Sequence, residues 1–169
     1  MPIPVQVSAE RALARNERYQ GQIDPSDLPR LAGFEPRQLV ADLQIRRHIT
    51  GYGRVGGSIQ AELTLECRVC TLGFCAPLSL RFDLVLARDE AEEARLMDQA
   101  EPLLITDDVL PLHRIVEDEV LLGLPMMPRC PTCENARPAA SGAAQEEVRR
   151  PFAALKDLGL KGGTSARGK

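Results

Sequence analysis

Aromatic residues are scarce in this chain, which has four phenylalanines, two tyrosines and no tryptophan. Proteins that bind single-stranded nucleic acid commonly stack bases on aromatic side chains, so the composition argues against such a platform. Histidine is almost as rare, with only His48 and His113. Neither histidine has a nucleophile or an orienting acid at a suggestive spacing, which argues against a catalytic triad.

The sequence also lacks a long hydrophobic run of the kind that crosses a membrane, for which about 20 consecutive apolar residues are needed. Its first residues do not show the basic start and apolar centre of a secretory signal peptide. These features predict a cytoplasmic protein. A length of 169 residues is sufficient for one domain with its own hydrophobic core.

The chain also has no excess of positive charge, and its formal net charge is −3. A protein that coats nucleic acid needs a basic footprint, so the net charge argues against that role. The charges are unevenly distributed along the chain. Residues 88–119 contain eleven acids and three bases, a net charge of −8, whereas residues 149–169 contain six bases and one acid, a net charge of +5. Such asymmetry often marks an interaction tail.

The most informative residues present are two Cys-x-x-Cys turns, formed by Cys67 with Cys70 and by Cys130 with Cys133. In a reducing compartment such turns are more often metal-binding or redox-active than disulfide-bonded. Four thiolates match the ligand set of a structural zinc site, so we predict that these four residues bind zinc. Redox-active thiols and plain thiols without metal are the alternatives. The fifth cysteine, Cys75, is expected to be a small apolar side chain within a strand.

Alternating apolar and polar side chains predict three long strands, at 39–49, 58–67 and 76–87. The glycine-rich segment 51–57 is interpreted as the connection between the first two strands. The second and third strands flank the first cysteine turn. We therefore expect an antiparallel hairpin that carries this thiol pair at its tip.

Two amphipathic helices are predicted, one before and one after these strands. Segment 8–18 begins at Ser8, which can cap it, and should end at residues 19–21. Segment 108–123 has an apolar side, and Asp107 and Asp108 can cap its start. The combination predicts an α+β fold, in which a twisted antiparallel sheet packs with helices and the cysteine knuckles lie at one end.

The composition changes after the second thiol pair, which suggests a boundary near residue 135. Residues 1–135 are expected to form a single α+β domain that contains both Cys-x-x-Cys turns. Residues 136–169 are expected to form a linker, a short amphipathic helix and a flexible basic C-terminal tail. In that helix Phe152 and Lys156 combine apolar and basic character, which is typical of a docking peptide. Packing against its own chain is the alternative.

Two charged clusters are candidate partner contacts. Glu117, Asp118 and Glu119 interrupt an otherwise apolar stretch and could face a basic partner. A solvated helix face, a magnesium site or an acid–base pair are the alternatives. Arg46 and Arg47 lie near a loop and could contact an RNA phosphate, with a solvated strand end as the alternative.

Four segments, in this order along the chain, resemble the bacterial YceD family, whose members are called large ribosomal RNA subunit accumulation proteins. The acids that precede a leucine-rich run, a proline and a thiol pair are the specific part of the resemblance. The segments are Arg18-Tyr-Gln-Gly21, Leu63-Thr-Leu-Glu-Cys-Arg-Val-Cys70, Val116-Glu-Asp-Glu-Val-Leu-Leu-Gly-Leu-Pro125 and Pro151-Phe-Ala-Ala-Leu155. Together they extend over most of the sequence.

The resemblance implies a non-enzymatic factor that promotes synthesis, processing or stability of large-subunit ribosomal RNA during ribosome assembly. Its partners would be a ribosomal protein, a pre-ribosomal large-subunit particle or the ribosomal RNA itself. Cys67 and Cys70 match the family's first thiol pair and Cys133 its late cysteine, whereas Cys130 stands near where other members often have histidine. Both residue types bind zinc, so this departure is compatible with a zinc site. A zinc-stabilised interaction module outside ribosome assembly and a thiol oxidoreductase are the alternatives.

Overall fold

The structure is a computed structural model that describes residues 3–48 and 51–136. The described residues form an α+β fold with a five-stranded mixed sheet and a separate two-stranded ribbon, which confirms the predicted fold class. No helix in this part of the chain is long and apolar enough to span a membrane. The predicted linker, amphipathic helix and basic tail, including Phe152 and Lys156, lie outside the described residues and stay predictions.

The helices and strands follow one another in a simple order along the chain. They are β1 (Val7–Ser8), α1 (Ala9–Arg15), β2 (Arg18–Gln22), two 3-10 segments (Pro25–Asp27 and Pro29–Phe34), β3 (Gln38–Arg47), β4 (Gly53–Glu66), β5 (Gly73–Ala87), α2 (Glu90–Leu96), β6 (Glu101–Leu104), β7 (Val109–Leu110), α3 (Leu112–Leu122) and α4 (Pro131–Asn135).

The large sheet has the strand order β2-β3-β4-β5-β6, and β1 pairs with β7 in the small ribbon. Neighbouring strands of the large sheet are antiparallel except for β5 and β6, which are parallel. A parallel pair requires a crossover connection, which α2 supplies here. The predicted antiparallel sheet is therefore correct for β3 to β5, and it lacks the edge strands β2 and β6.

One face of the large sheet forms the hydrophobic core. Leu39, Leu43 and Ile45 of β3 have no exposed surface, whereas Val40 and Gln44 between them are exposed. The inward side chains of β3 and β4 belong to the same buried cluster as the apolar residues of α1 and α3. The period-two alternation in the sequence therefore predicts correctly which side of these strands is buried.

Most of the glycine-rich segment predicted as a connection, residues 53–57, belongs to strand β4, which begins at Gly53. The reason is visible at Gly57, which pairs with Leu43 of β3. A Cβ atom at position 57 would lie 2.0 Å from the carbonyl oxygen of Asp42. Glycine is required here because the two backbones approach closely within the sheet, and not because the chain turns.

Helix α1 ends earlier than predicted. Its start is as expected, because the side chain of Ser8 accepts a hydrogen bond from the N–H of Arg11 at 3.2 Å. Asn16 then adopts the left-handed conformation, with φ of 49°, and ends the helix. Residues 19–21, predicted as the helix terminus, belong instead to the edge strand β2.

Asp108 caps α1, whereas the sequence predicted that it would cap α3. Helix α3 starts after Pro111 without a side-chain cap. The carboxylate of Asp108 instead accepts hydrogen bonds from the Ser8 hydroxyl at 2.6 Å and from the Glu10 N–H at 2.7 Å. These two donors lower the pKa of Asp108 below its usual value. The β1–β7 pairing brings Asp108 to the start of α1, a contact that a local pattern cannot reveal.

Candidate functional site

The first thiol pair lies in the turn that joins β4 to β5, as predicted. The N–H of Cys67 donates to the carbonyl of Leu72 at 2.9 Å, and the N–H of Thr71 donates to the carbonyl of Cys67 at 2.9 Å. Thr71 has a φ of 59°, in the left-handed region. These bonds close a tight turn at the hairpin tip and hold Cys67 and Cys70 near each other.

The second thiol pair lies around the start of α4. The N–H of Glu134 donates to the carbonyl of Cys130 at 2.9 Å, which begins the helical turn that carries Cys133. A further backbone bond joins this segment to the hairpin tip, because Arg68 N–H donates to the carbonyl of Pro128 at 2.9 Å. The chain therefore brings the two thiol pairs together with main-chain hydrogen bonds.

The four sulfur atoms of Cys67, Cys70, Cys130 and Cys133 all lie within 4.8 Å of one another. The Sγ atoms of Cys70 and Cys130 are 3.8 Å apart. Zinc–thiolate bonds of about 2.3 Å in a tetrahedron place neighbouring sulfurs about 3.8 Å apart. The four cysteines therefore form a candidate metal centre, and its donor set and spacing fit a tetrathiolate site.

Cys67 and Cys133 have pKa values displaced in opposite directions by their neighbours. N–H groups of Cys130 and Cys70 point at the sulfur of Cys67 and lower its pKa to about 6. The Cys130 and Cys70 thiols raise the pKa of Cys133 to about 12. Several adjacent thiolates repel one another, so the cluster cannot ionise fully at neutral pH without a cation. A bound metal ion would supply that positive charge.

Cys75 does not act as the small apolar filler that the sequence predicted. It lies in β5 as expected, but its side chain is exposed. It also lies outside the group of four sulfurs. The expectation of an apolar filler was wrong because the outward face of β5 is open at this end of the sheet. Cys75 therefore provides a matched control for substitutions in the thiol cluster.

The three acids of α3 occupy three different environments. Glu117 is only 5% exposed, and its Oε1 accepts a hydrogen bond from the Arg30 N–H at 2.6 Å. Asp118 contacts the guanidinium groups of Arg30 and Arg114. Glu119 is half-buried on another side of the helix. Glu117 therefore has an internal role, and a partner contact by these residues stays a prediction.

Substitution of Glu117 with alanine should lower the free energy of unfolding by about 2 kcal/mol. The change removes the acceptor of the Arg30 N–H at the start of the second 3-10 segment and leaves that donor unsatisfied. Asp118→Ala is the matched control, because it disrupts only solvent-exposed ion pairs and should cost less than about 1 kcal/mol. Urea unfolding of both variants measures the difference. Equal costs would contradict the internal role of Glu117.

Glu119 lines an apolar groove of about 360 Å³ between α3 and β6, which the sequence did not predict. Burial of Glu119, together with the nearby carboxylates of Glu101 and Asp118, raises its pKa above the usual value. Glu101 could not be recognised in advance because it belongs to a short strand that is distant in sequence. The groove is lined by Arg30, Leu84, Glu101, Pro102, Leu103, Ile115, Asp118, Glu119, Leu121 and Leu122.

The two predicted RNA-contacting arginines border different clefts. Arg46 lines a polar cleft of about 410 Å³ on the open face of the large sheet, together with Arg18 and Arg81. Arg47 borders a separate cleft that contains Asp108. Adjacent residues of a strand face opposite sides of the sheet, so the two cannot act as one basic spot. An RNA contact by Arg46 or Arg47 stays a prediction.

Comparison with known proteins yields a match to a family model described as large ribosomal RNA subunit accumulation protein YceD, over residues 55–159. No curated protein and no solved structure shows significant similarity to the chain. The matched region contains both thiol pairs and all of α3, and it covers more than half of the 169 residues. The chain therefore belongs to the YceD family of large ribosomal RNA subunit accumulation proteins.

Proposed function

We propose that this protein is a non-enzymatic accessory factor that promotes synthesis, processing or stability of large-subunit ribosomal RNA during ribosome assembly in the cytoplasm. The observation that carries the proposal is the family match over residues 55–159. A role in large-subunit RNA accumulation is what the family's description states. The direct partner would be a ribosomal protein, a pre-ribosomal large-subunit particle or the ribosomal RNA.

A structural zinc ion bound by the four cysteines is part of this proposal. Four protein ligands leave no open coordination position for a substrate, so the ion would serve folding and not catalysis. The 3.8 Å separation of the Cys70 and Cys130 sulfurs supports it. The Cys130 N–H also donates to the Cys67 sulfur at 3.3 Å, and such bonds stabilise a thiolate ligand. When bound, zinc would fix the β4–β5 tip to the segment that follows α3.

The position of the thiol cluster supports a role in presenting a contact surface. Val69 and Leu72 of the hairpin tip are 57% and 68% exposed, and Met126 and Met127 are 93% and 68% exposed. The backbone bond between Arg68 and Pro128 brings the two segments together. Large apolar side chains exposed as a group commonly mark interaction sites. The metal would therefore rigidify a surface that is suited to a partner.

The lowered pKa of Cys67 is the observation that favours the alternative function, a thiol oxidoreductase. A reactive thiolate must also be accessible to its substrate. The Cys67 side chain has no exposed surface, and its turn joins two antiparallel strands rather than preceding a helix in a βαβ unit. Burial therefore weighs against this alternative, and measured binding of zinc by all four thiols would argue further against it.

The test is the ratio of large- to small-subunit ribosomal RNA in cells depleted of this protein. We expect a selective fall in the large-subunit RNA, and restoration when the original chain is supplied again. A Cys67→Ala/Cys70→Ala chain should fail to restore the ratio, whereas Cys75→Ala, which changes a cysteine outside the cluster, should restore it. An unchanged ratio after depletion would refute the assembly role and favour an interaction module acting elsewhere.

A further inference from the structure

We propose that the groove between α3 and β6 binds a basic amphipathic segment of a protein partner. An apolar side chain of that segment would enter the groove, and a flanking lysine or arginine would contact Glu101 and Glu119. The inference rests on the proposed function for one point only, that the partner is a basic protein of the assembling large subunit. The groove itself is argued from its shape, lining and charge.

The groove is an apolar depression with an exposed edge. Leu103 of β6 and Leu121 of α3 are partly buried in it, and Leu122 at its edge is 72% exposed. Its volume of about 360 Å³ is near the lower end of ligand-binding clefts, which span roughly 300–1,000 Å³. That size suits a few side chains of a docked segment. Recognition of an amphipathic segment in an apolar groove is a recurring mode of protein binding.

Among the described residues, Glu101 and Glu119 of the groove lack a balancing cation. Arg30 lies at the rim, but it already contacts Asp118 and approaches Glu117. In the part of the chain that the structure describes, neither Glu101 nor Glu119 forms an ion pair with a basic side chain. The raised pKa of Glu119 agrees with this geometry, because burial and the two neighbouring carboxylates all disfavour its charge.

The charge of the rim decides between a protein and an RNA partner. Carboxylates repel phosphate groups, and RNA binding requires the opposite charge. A basic side chain from a partner would relieve the repulsion between Glu101 and Glu119, while the apolar part of the same segment covers Leu122. Electrostatic complementarity of this kind steers association and sets specificity. An amphipathic basic protein segment matches both the apolar lining of the groove and the carboxylates at its rim.

The experiment compares two double variants of the full chain that each remove two negative charges. Glu101→Gln/Glu119→Gln changes the groove, and Glu90→Gln/Glu93→Gln changes acids of α2 that do not line it. Each purified large-subunit ribosomal protein, fluorescently labelled, is titrated with the original chain and with both variants. We expect at least one of them to bind, with affinity reduced about tenfold by the groove variant and less than about twofold by the control.

Two further measurements test whether a loss of binding comes from the groove itself and not from unfolding. Leu122→Ser should also weaken binding, because the side chain is mostly exposed and its loss removes apolar contact without opening the core. Thermal unfolding should show the groove variant to be at least as stable as the original chain, since it removes two repelling charges. The inference is overturned if no ribosomal protein binds, or if both double variants weaken binding equally. It is also overturned if the groove variant alters binding of large-subunit RNA instead.

Failure of this inference is distinguishable from failure of the proposed function. If depletion lowers the large-subunit RNA but the groove variant binds and rescues normally, the assembly role stands and the groove inference falls. If depletion leaves the RNA unchanged while the groove variant loses affinity for a basic protein, the groove stands as an interface and the assembly role falls.

Discussion

Substitution of Cys67 with serine is expected to abolish zinc binding and to lower the free energy of unfolding by about 3 kcal/mol or more. Cys67 is the most buried of the four thiols, and its sulfur accepts the N–H of Cys130. Its loss removes one of four ligands and one contact between the two thiol segments. The protein should stay folded, because the main hydrophobic core is formed by other residues.

The matched control for this change is Cys75→Ser. Cys75 is exposed on β5 and lies outside the group of four sulfurs, so zinc content should be unchanged and stability should shift by less than about 0.5 kcal/mol. Metal analysis gives the zinc content per chain, and urea unfolding gives the free energy. One zinc per chain in Cys67→Ser, or equal losses in both variants, would show that the four-sulfur site is not a zinc site.

Substitution of Gly57 with alanine should destabilise the protein by about 4 kcal/mol, a loss of the size seen when a side chain is forced into a closed backbone contact. The new Cβ would lie 2.0 Å from the Asp42 carbonyl oxygen and 3.2 Å from the Leu43 Cα. These are backbone atoms, so no side-chain rotation can make room. Strands β3 and β4 would have to separate in the middle of the sheet.

Gly33→Ala is the matched control for the glycine substitution, because a Cβ at position 33 meets no heavy atom within 4 Å. It should change the free energy of unfolding by less than about 1 kcal/mol, since alanine restricts the unfolded chain without creating a clash. Urea unfolding of the two variants, each compared with the original chain, measures the contrast. Equal stability of the two variants would mean that β3 and β4 do not approach as closely as described.

The long strands could be predicted because, in each of them, alternate side chains pack in or against the hydrophobic core. Strands β3, β4 and β5 have ten or more residues each, so their alternation is strong. Strands β1, β6 and β7 have two to four residues and carry no such pattern. Their existence depends on partners that are distant in sequence. Edge strand β2 was missed for a related reason, because its alternation rests on little more than Tyr19.

The four residues of the thiol site were predicted from their chemistry, whereas the contacts that bring the two thiol pairs together were not. Paired Cys-x-x-Cys turns suggest a common metal, but only the fold shows how the bond between Arg68 and Pro128 joins the two segments.

For the three consecutive acids of α3, the sequence motif did not predict which side chains lie together. Neighbours in a helix are rotated by about 100° from one another, so consecutive acids cannot all share one surface. Glu117 consequently turns inward, and Glu119 lies close to Glu101 from β6 as well as to its neighbour Asp118.

The capping of α1 by Asp108 has a consequence for the order of events during translation. Helix α1 has seven residues and is too short to be stable alone. The carboxylate that completes it is synthesised 98 residues after Glu10. At about 5–20 residues per second, that interval lasts about 5–20 s. The Glu10–Asp108 hydrogen bond and the pairing of β1 with β7 cannot form before that interval has passed. The start of α1 therefore reaches its final set of contacts only after most of the large sheet has been synthesised.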